Sequence, residues 1–129
     1  MSLAILWSIY FDLNVITYDY VGYGISTGYP TETKFYGDLE NVMAFTVNHL
    51  KIPLHKIFLW GYSLGSGPTV DLASRFQNIA GVVLLAPLAS CLLWLDKKLK
   101  WNESLIKKDT FCNISKIEKI KCHCSILHG

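Results

Sequence analysis

A single arginine, Arg75, stands among 129 residues, and charged side chains of both signs amount to only 17%. Arginine is the side chain that most often reads phosphates and bases, so its scarcity argues against nucleic acid as a partner. Long apolar runs are missing too, and a membrane-spanning helix needs roughly 18 to 20 such residues. Leu3 to Phe11 has no basic flank before it, which fits neither a span nor a secretory signal, and Gly81 to Leu95 is broken by Pro87. With no signal peptide in view, the sequons at Asn102 and Asn113 carry no weight, and the chain is expected to be cytoplasmic or membrane-peripheral. The C-x-x-C spacing of zinc knuckles is absent: Cys91 and Cys112 stand apart, and Cys122-His123-Cys124 would send its histidine to the opposite face of a strand. Free buried thiols are expected rather than a metal site.

What charge there is lies unevenly. The net charge of +2 hides a difference between residues 1–75, with four Lys/Arg against six Asp/Glu, and residues 76–129, with eight against four. That basic C-terminal part could face an acidic membrane surface, but a solvated rim over an apolar core is the plainer reading.

The apolar content is high, at 51% with a mean hydropathy of +0.29, and the chain has room for one domain. Short β-branched or apolar runs alternate with longer helical patterns, which is the mark of a mostly parallel sheet flanked by helices. Strands are expected near 14–19, 56–61, 81–86 and 124–128, and helices near 3–12, 34–49 and 64–76. The second helix should turn Phe35, Leu39, Val42, Phe45 and Leu50 to one side. Residues 88–120 read as loop and short helices.

The chemistry concentrates in Lys56-Ile-Phe-Leu-Trp-Gly-Tyr-Ser-Leu-Gly-Ser-Gly-Pro68. Gly61-Tyr62-Ser63-Leu64-Gly65 matches G-x-S-x-G, with an apolar strand before it and a helical pattern after it. In a sharp strand-to-helix turn the serine takes a strained backbone, and side chains at 61 and 65 would collide with neighbouring elements, so glycine fits there. The hydroxyl of Ser63 would then project over the C-terminal edge of the sheet, and the Leu64 N–H would point to the same spot as half of an oxyanion hole. A glycine-rich structural turn and a phosphate-cradling loop remain as alternatives, the latter weakened by the missing G-K-[ST] lysine.

Together, "VITYDYVGYGISTGYPTE", "IFLWGYSLGSGPTVDLASRF", "VVLLAPLAS" and "ILHG" resemble the α/β-hydrolase superfamily. Pro68 to Arg75 is similar in particular to the α/β-hydrolase-domain-containing protein 17 group, whose members remove palmitate from cysteine thioesters. The resemblance runs from about Leu3 to Gly129. It implies an α/β fold that is incomplete, lacking the N-terminal strands and the C-terminal strands, so that 1–129 is a partial hydrolase domain. It also implies acyl transfer through a Ser63 acyl-enzyme, with no cofactor and no metal. The substrate would be a lipidated (S-acylated) protein or a small acyl ester, with a membrane surface as a further partner.

The resemblance places the triad acid and histidine after the family's seventh and eighth strands, so neither is expected in this chain. His49 and His55 should lie at the edge of the sheet opposite Ser63; His128 ends a strand on the correct edge but matches a position before the acid loop. Asp96 could supply an acid, though without a histidine it activates nothing. The family's third strand, which would separate the strand near 14–19 from that near 56–61, is also absent, so the chain alone is not expected to fold stably. A catalytically dead fragment or pseudoenzyme acting as a binding module is the second reading.

Overall fold

The computed structural model describes residues 3–95 and 109–129. Asp96, the lysines from 97 to 108 and the sequon at Asn102 lie outside these residues. The chain divides into two compact units, Met1–Pro30 and Thr31–Gly129.

The first unit holds α1 (Leu3–Phe11) followed by irregular chain. The strand expected near 14–19 does not form. Its β-branched and aromatic residues suit a strand, but among the described residues it joins no ladder, and a segment becomes a strand only when its N–H and C=O groups pair with a neighbour. Tyr18 and Tyr20 instead meet edge to face at 5.0 Å. No helix among the described residues is long and apolar enough to cross a membrane.

The second unit is built on three parallel strands in the order β1 (Phe58–Tyr62), β2 (Gly81–Leu85), β3 (Cys124–Leu127). Leu59 pairs with Val82 and Val82 with Cys124, so these residues share one face, and Gly61, Leu84 and Ile126 continue it. Over β1 and β2 that face is covered by α3 (Ser66–Arg75), against which α2 (Glu32–Asn48) packs, while Cys124 and Ile126 on β3 stay exposed. The core comprises Phe35, Leu39 and Met43 from α2, Val70, Leu72 and Ala73 from α3, and Leu59, Val82 and Leu84 from the sheet. On the other face of β1, Phe58, Trp60 and Tyr62 are exposed.

α2 starts where Thr31, with extended backbone, accepts a hydrogen bond from the Lys34 N–H. Its buried stripe keeps Phe35 and Leu39 of the expected set but continues through Met43 and Thr46, leaving Val42 half-buried and Phe45 and Leu50 exposed. The spacing of four, four and three keeps one side of a 3.6-residue helix, from which Phe45 is turned away; it stacks on His49.

Between β2 and β3 the described residues form α4 (Cys91–Leu95) and two 3-10 turns, Asn113–Ser115 and Ile117–Lys119. Polar ties hold this connection to the helices. Lys116 Nζ lies 2.6 Å from Asp71 Oδ1 on α3 and donates to the Tyr36 hydroxyl on α2. Tyr36 in turn donates to the Glu32 carboxylate, which also accepts the Phe111 N–H at 2.7 Å. Burial first, and then this carboxylate, hold the Tyr36 hydroxyl far above the usual tyrosine range, so it stays a donor at all ordinary pH.

Candidate functional site

Ser63 follows directly on β1 and opens a 3-10 turn, Ser63–Gly65, that runs into α3. Its φ is +48°, in the left-handed region that a non-glycine residue adopts only at a cost of about 1 to 2 kcal/mol. Strand, strained serine and helix therefore meet in one turn at the C-terminal edge of the sheet.

Gly61 explains how the turn can be so tight. A Cβ there would stand 2.9 Å from the Ser66 Cα and 2.8 Å from the Thr69 hydroxyl oxygen, so α3 lies directly on the strand's backbone. Gly65 has φ −62°, ψ −15°, an ordinary helical conformation. Gly67, on α3, makes room for the Phe111 ring. Pro68 does not break the helix, because it is the third residue of α3, inside the first turn, where a missing N–H leaves no bond unmade.

Under the turn lies a buried polar cluster. Ser66, wholly inaccessible to solvent, donates its hydroxyl hydrogen to the Ser63 carbonyl at 2.6 Å. The same oxygen accepts the Leu88 N–H at 3.2 Å and the Asn113 amide at 3.0 Å, and Asn113 Nδ2 also donates to the Leu88 carbonyl at 2.8 Å. In the sequence Asn113 stands out only as part of a sequon. Its amide is committed to two hydrogen bonds in the interior, which leaves no access for a glycan. No sequence signal connects positions 66 and 113, because the bond between them spans 47 residues of chain.

The histidines lie where the strand order dictates. His49 caps the C-terminus of α2 and His55 sits in a 3-10 turn before β1, so both are at the strand-start edge, opposite Ser63. His128 follows β3 on the same edge as Ser63, and its Nδ1 lies 3.0 Å from the Gly129 carbonyl oxygen. Among the described residues, no histidine or carboxylate hydrogen-bonds the Ser63 side chain.

Among the described residues no three His, Cys, Asp or Glu side chains converge on a metal position; the cysteines are free, but the expectation of buried thiols holds only for Cys112, with Cys91 and Cys122 half-buried and Cys124 largely exposed. Partial burial, followed by the neighbouring Cys122, raises the Cys124 thiol above its ordinary pKa. A raised pKa keeps the thiol protonated to higher pH, and the thiolate is the nucleophile. Alkylation of Cys124 by iodoacetamide at neutral pH is thus expected to run slower than that of free cysteine; a site-resolved rate equal to the free amino acid's would contradict this.

Comparison with known proteins places these features in a group. The family model described as alpha/beta hydrolase fold matches residues 8–106. Over 116 residues, 90% of the chain, the sequence is 37% identical to alpha/beta hydrolase domain-containing protein aho-3 of Caenorhabditis elegans, covering 34% of that protein. It is likewise 37% identical over 116 residues to human alpha/beta hydrolase domain-containing protein 17B, covering 39% of it. The chain thus spans well under half the length of these relatives. A crystal structure of an alpha-beta hydrolase from Vibrio vulnificus superposes with a TM-score of 0.71 at 24% identity, over 84% of this chain and 44% of that one.

Proposed function

Because this chain belongs to the alpha/beta hydrolase fold family, we propose that it is the central part of a serine hydrolase with Ser63 as nucleophile. The observation that carries this reading is the backbone of Ser63: positive φ, between a parallel strand and a helix, with Gly61 seated on α3. Strain of this kind persists where the surrounding structure over-determines it, which is the rule at reactive turns.

In the proposed reaction the Ser63 hydroxyl oxygen attacks an ester or thioester carbonyl, its proton passing to a base. The tetrahedral oxyanion is stabilised by the Leu64 N–H, one of the first amides of a helical turn, which have no acceptor within the helix. Collapse expels the alcohol or thiol, which takes up the proton and leaves an acyl-serine. Water then attacks the acyl-serine to release the acid and restore the serine. The resemblance to the protein 17 group supports S-acylated proteins as substrates and depalmitoylation as the reaction; a membrane-peripheral location suits such a substrate. The reading assigns the triad acid and base to none of these 129 residues, and on it the chain by itself is inactive.

The protein as its transcript encodes it should react covalently with a fluorophosphonate, with the adduct on the peptide containing Ser63, and Ser63→Ala should abolish labelling. Labelling that survives the substitution refutes the nucleophile. A second reading, a non-catalytic binding module, is favoured by the absence of a histidine or carboxylate at the Ser63 side chain among the described residues. Under that reading the same transcript product takes up no probe at all.

A further inference from the structure

We propose that Asn113 is a positioning residue for the reactive turn, acting through Ser66 on the Ser63 backbone; the inference rests on the nucleophile reading above. It starts from a count of hydrogens. A serine hydroxyl has one hydrogen and two acceptor positions. Around Ser66 Oγ stand two N–H donors, Asn113 Nδ2 and Leu88 N, and one carbonyl, that of Ser63. The two donors occupy the acceptor positions, so the hydroxyl's only hydrogen must go to the Ser63 carbonyl. The orientation of the Asn113 amide is equally determined: the Leu88 carbonyl can only accept, so the atom facing it is nitrogen. The hydrogen-bond directions around Ser66 Oγ are thus fixed, and the hydroxyl's hydrogen ends on Ser63.

Asn113 is itself held from both sides. The Ile114 N–H donates to the Ala89 carbonyl at 2.9 Å, which docks the 3-10 turn against the loop after β2, and the Asn113 N–H closes a tight local turn on the Phe111 carbonyl at 2.9 Å. The Ser63 carbonyl receives the Ser66 N–H as well as its hydroxyl. With β1 holding the strand side of Ser63, a turn about its N–Cα bond that relaxed the positive φ would swing the Ser63 carbonyl, and these two bonds on that carbonyl oppose the movement. The aim of the Ser63 side chain depends on the same peptide plane, so fixing the carbonyl fixes the approach of the oxygen to its substrate.

Aspartate at 113 keeps the shape but turns the donor into an acceptor. The Ser66 hydrogen is then drawn towards the carboxylate and away from Ser63. Burial raises such a carboxyl, and protonation gives it one hydrogen to donate again. The test is the second-order analysis of fluorophosphonate labelling in the transcript's own product, with the maximal inactivation rate separated from probe affinity and both referred to folded protein by its thermal transition.

Asn113→Asp is expected to lower the maximal rate about tenfold or more near neutral pH with affinity unchanged, and the ratio to wild type should climb as pH falls towards about 5. Ser66→Ala should show a similar loss without the pH recovery, and the double variant should be no slower than the slower single one. A merely structural asparagine would lower the folded fraction and leave the rate of the folded molecules and its pH profile untouched; that result overturns the proposal. Should Asn113→Asp fail to fold, Ser66→Ala decides alone, and a wild-type rate there overturns it. Residual labelling in Ser63→Ala refutes the nucleophile reading and this inference with it, whereas loss in Ser63→Ala beside wild-type rates in both other variants refutes only the role of Asn113.

Discussion

Replacing Phe111 with alanine is expected to lower the stability of the second unit by about 3 to 5 kcal/mol, the range for deleting a buried phenylalanine ring. The ring meets Phe35 edge-on at 5.5 Å and Tyr36 at 5.9 Å, and it fills the space that Gly67 leaves open on α3. Its removal opens a cavity between α2, α3 and the segment before β3. None of the neighbouring atoms can collapse into that cavity cheaply: Gly67 has no side chain to offer, while Phe35 is committed to the core and Tyr36 to its bond with Glu32. The Phe111 N–H remains bonded to Glu32 Oε1 in the variant, which limits backbone drift and so keeps the void. Urea unfolding of the transcript's product, followed by far-ultraviolet circular dichroism, reads the change in midpoint at constant slope. A loss under about 1 kcal/mol would mean that the ring contributes little packing, contrary to its burial.

Phe111 also marks where sequence reasoning reaches its limit. The strands around Leu59, Val82 and Ile126, and the helix from Ser66, are legible because each carries its own pattern: short apolar runs for a sheet and a helical pattern after the serine. The turn at Ser63 is legible because G-x-S-x-G is a local pattern of five residues, whereas the contacts that hold it, from Ser66, Thr69 and Asn113, lie outside those five. Phe111 and Asn113 lie in a stretch with no periodicity, and both act across long sequence separations, on Gly67 and on Ser66. Tertiary partners of that kind leave no trace in spacing.

The strand expected near Val15 to Tyr18 fails for a related reason. β-Propensity describes how well a residue fits a pleated, half-buried surface, and the sequence of the segment cannot supply the neighbouring strand that makes such a surface. The buried face of α2 shows the milder version of this effect. Several stripes of its apolar residues are compatible with a helix, and only the position of α3 selects Met43 and Thr46 over Phe45.

Gly61→Ala carries the second large effect, and it connects stability with the proposed chemistry. The added carbon would stand 2.9 Å from the Ser66 Cα, which is backbone and cannot swing aside as the end of a flexible side chain could. The Thr69 Cβ is equally close at 2.9 Å, so movement along α3 offers no escape either. The helix must therefore lift from the strand, and overpacking of this kind costs about 1 to 3 kcal/mol. Lifting Ser66 stretches its hydroxyl bond to the Ser63 carbonyl, and with it the links to Leu88 and Asn113, because all of them meet at one oxygen. Fluorophosphonate labelling of the folded variant should consequently slow by about tenfold or more, in line with the sensitivity of reactive geometry to displacements near 1 Å. In Phe111→Ala, by contrast, the turn keeps its hydrogen bonds, so labelling per folded molecule should remain close to wild type. The opposite pattern, slowed chemistry in Phe111→Ala and normal chemistry in Gly61→Ala, would show that the tight seat of α3 on β1 does not control the serine.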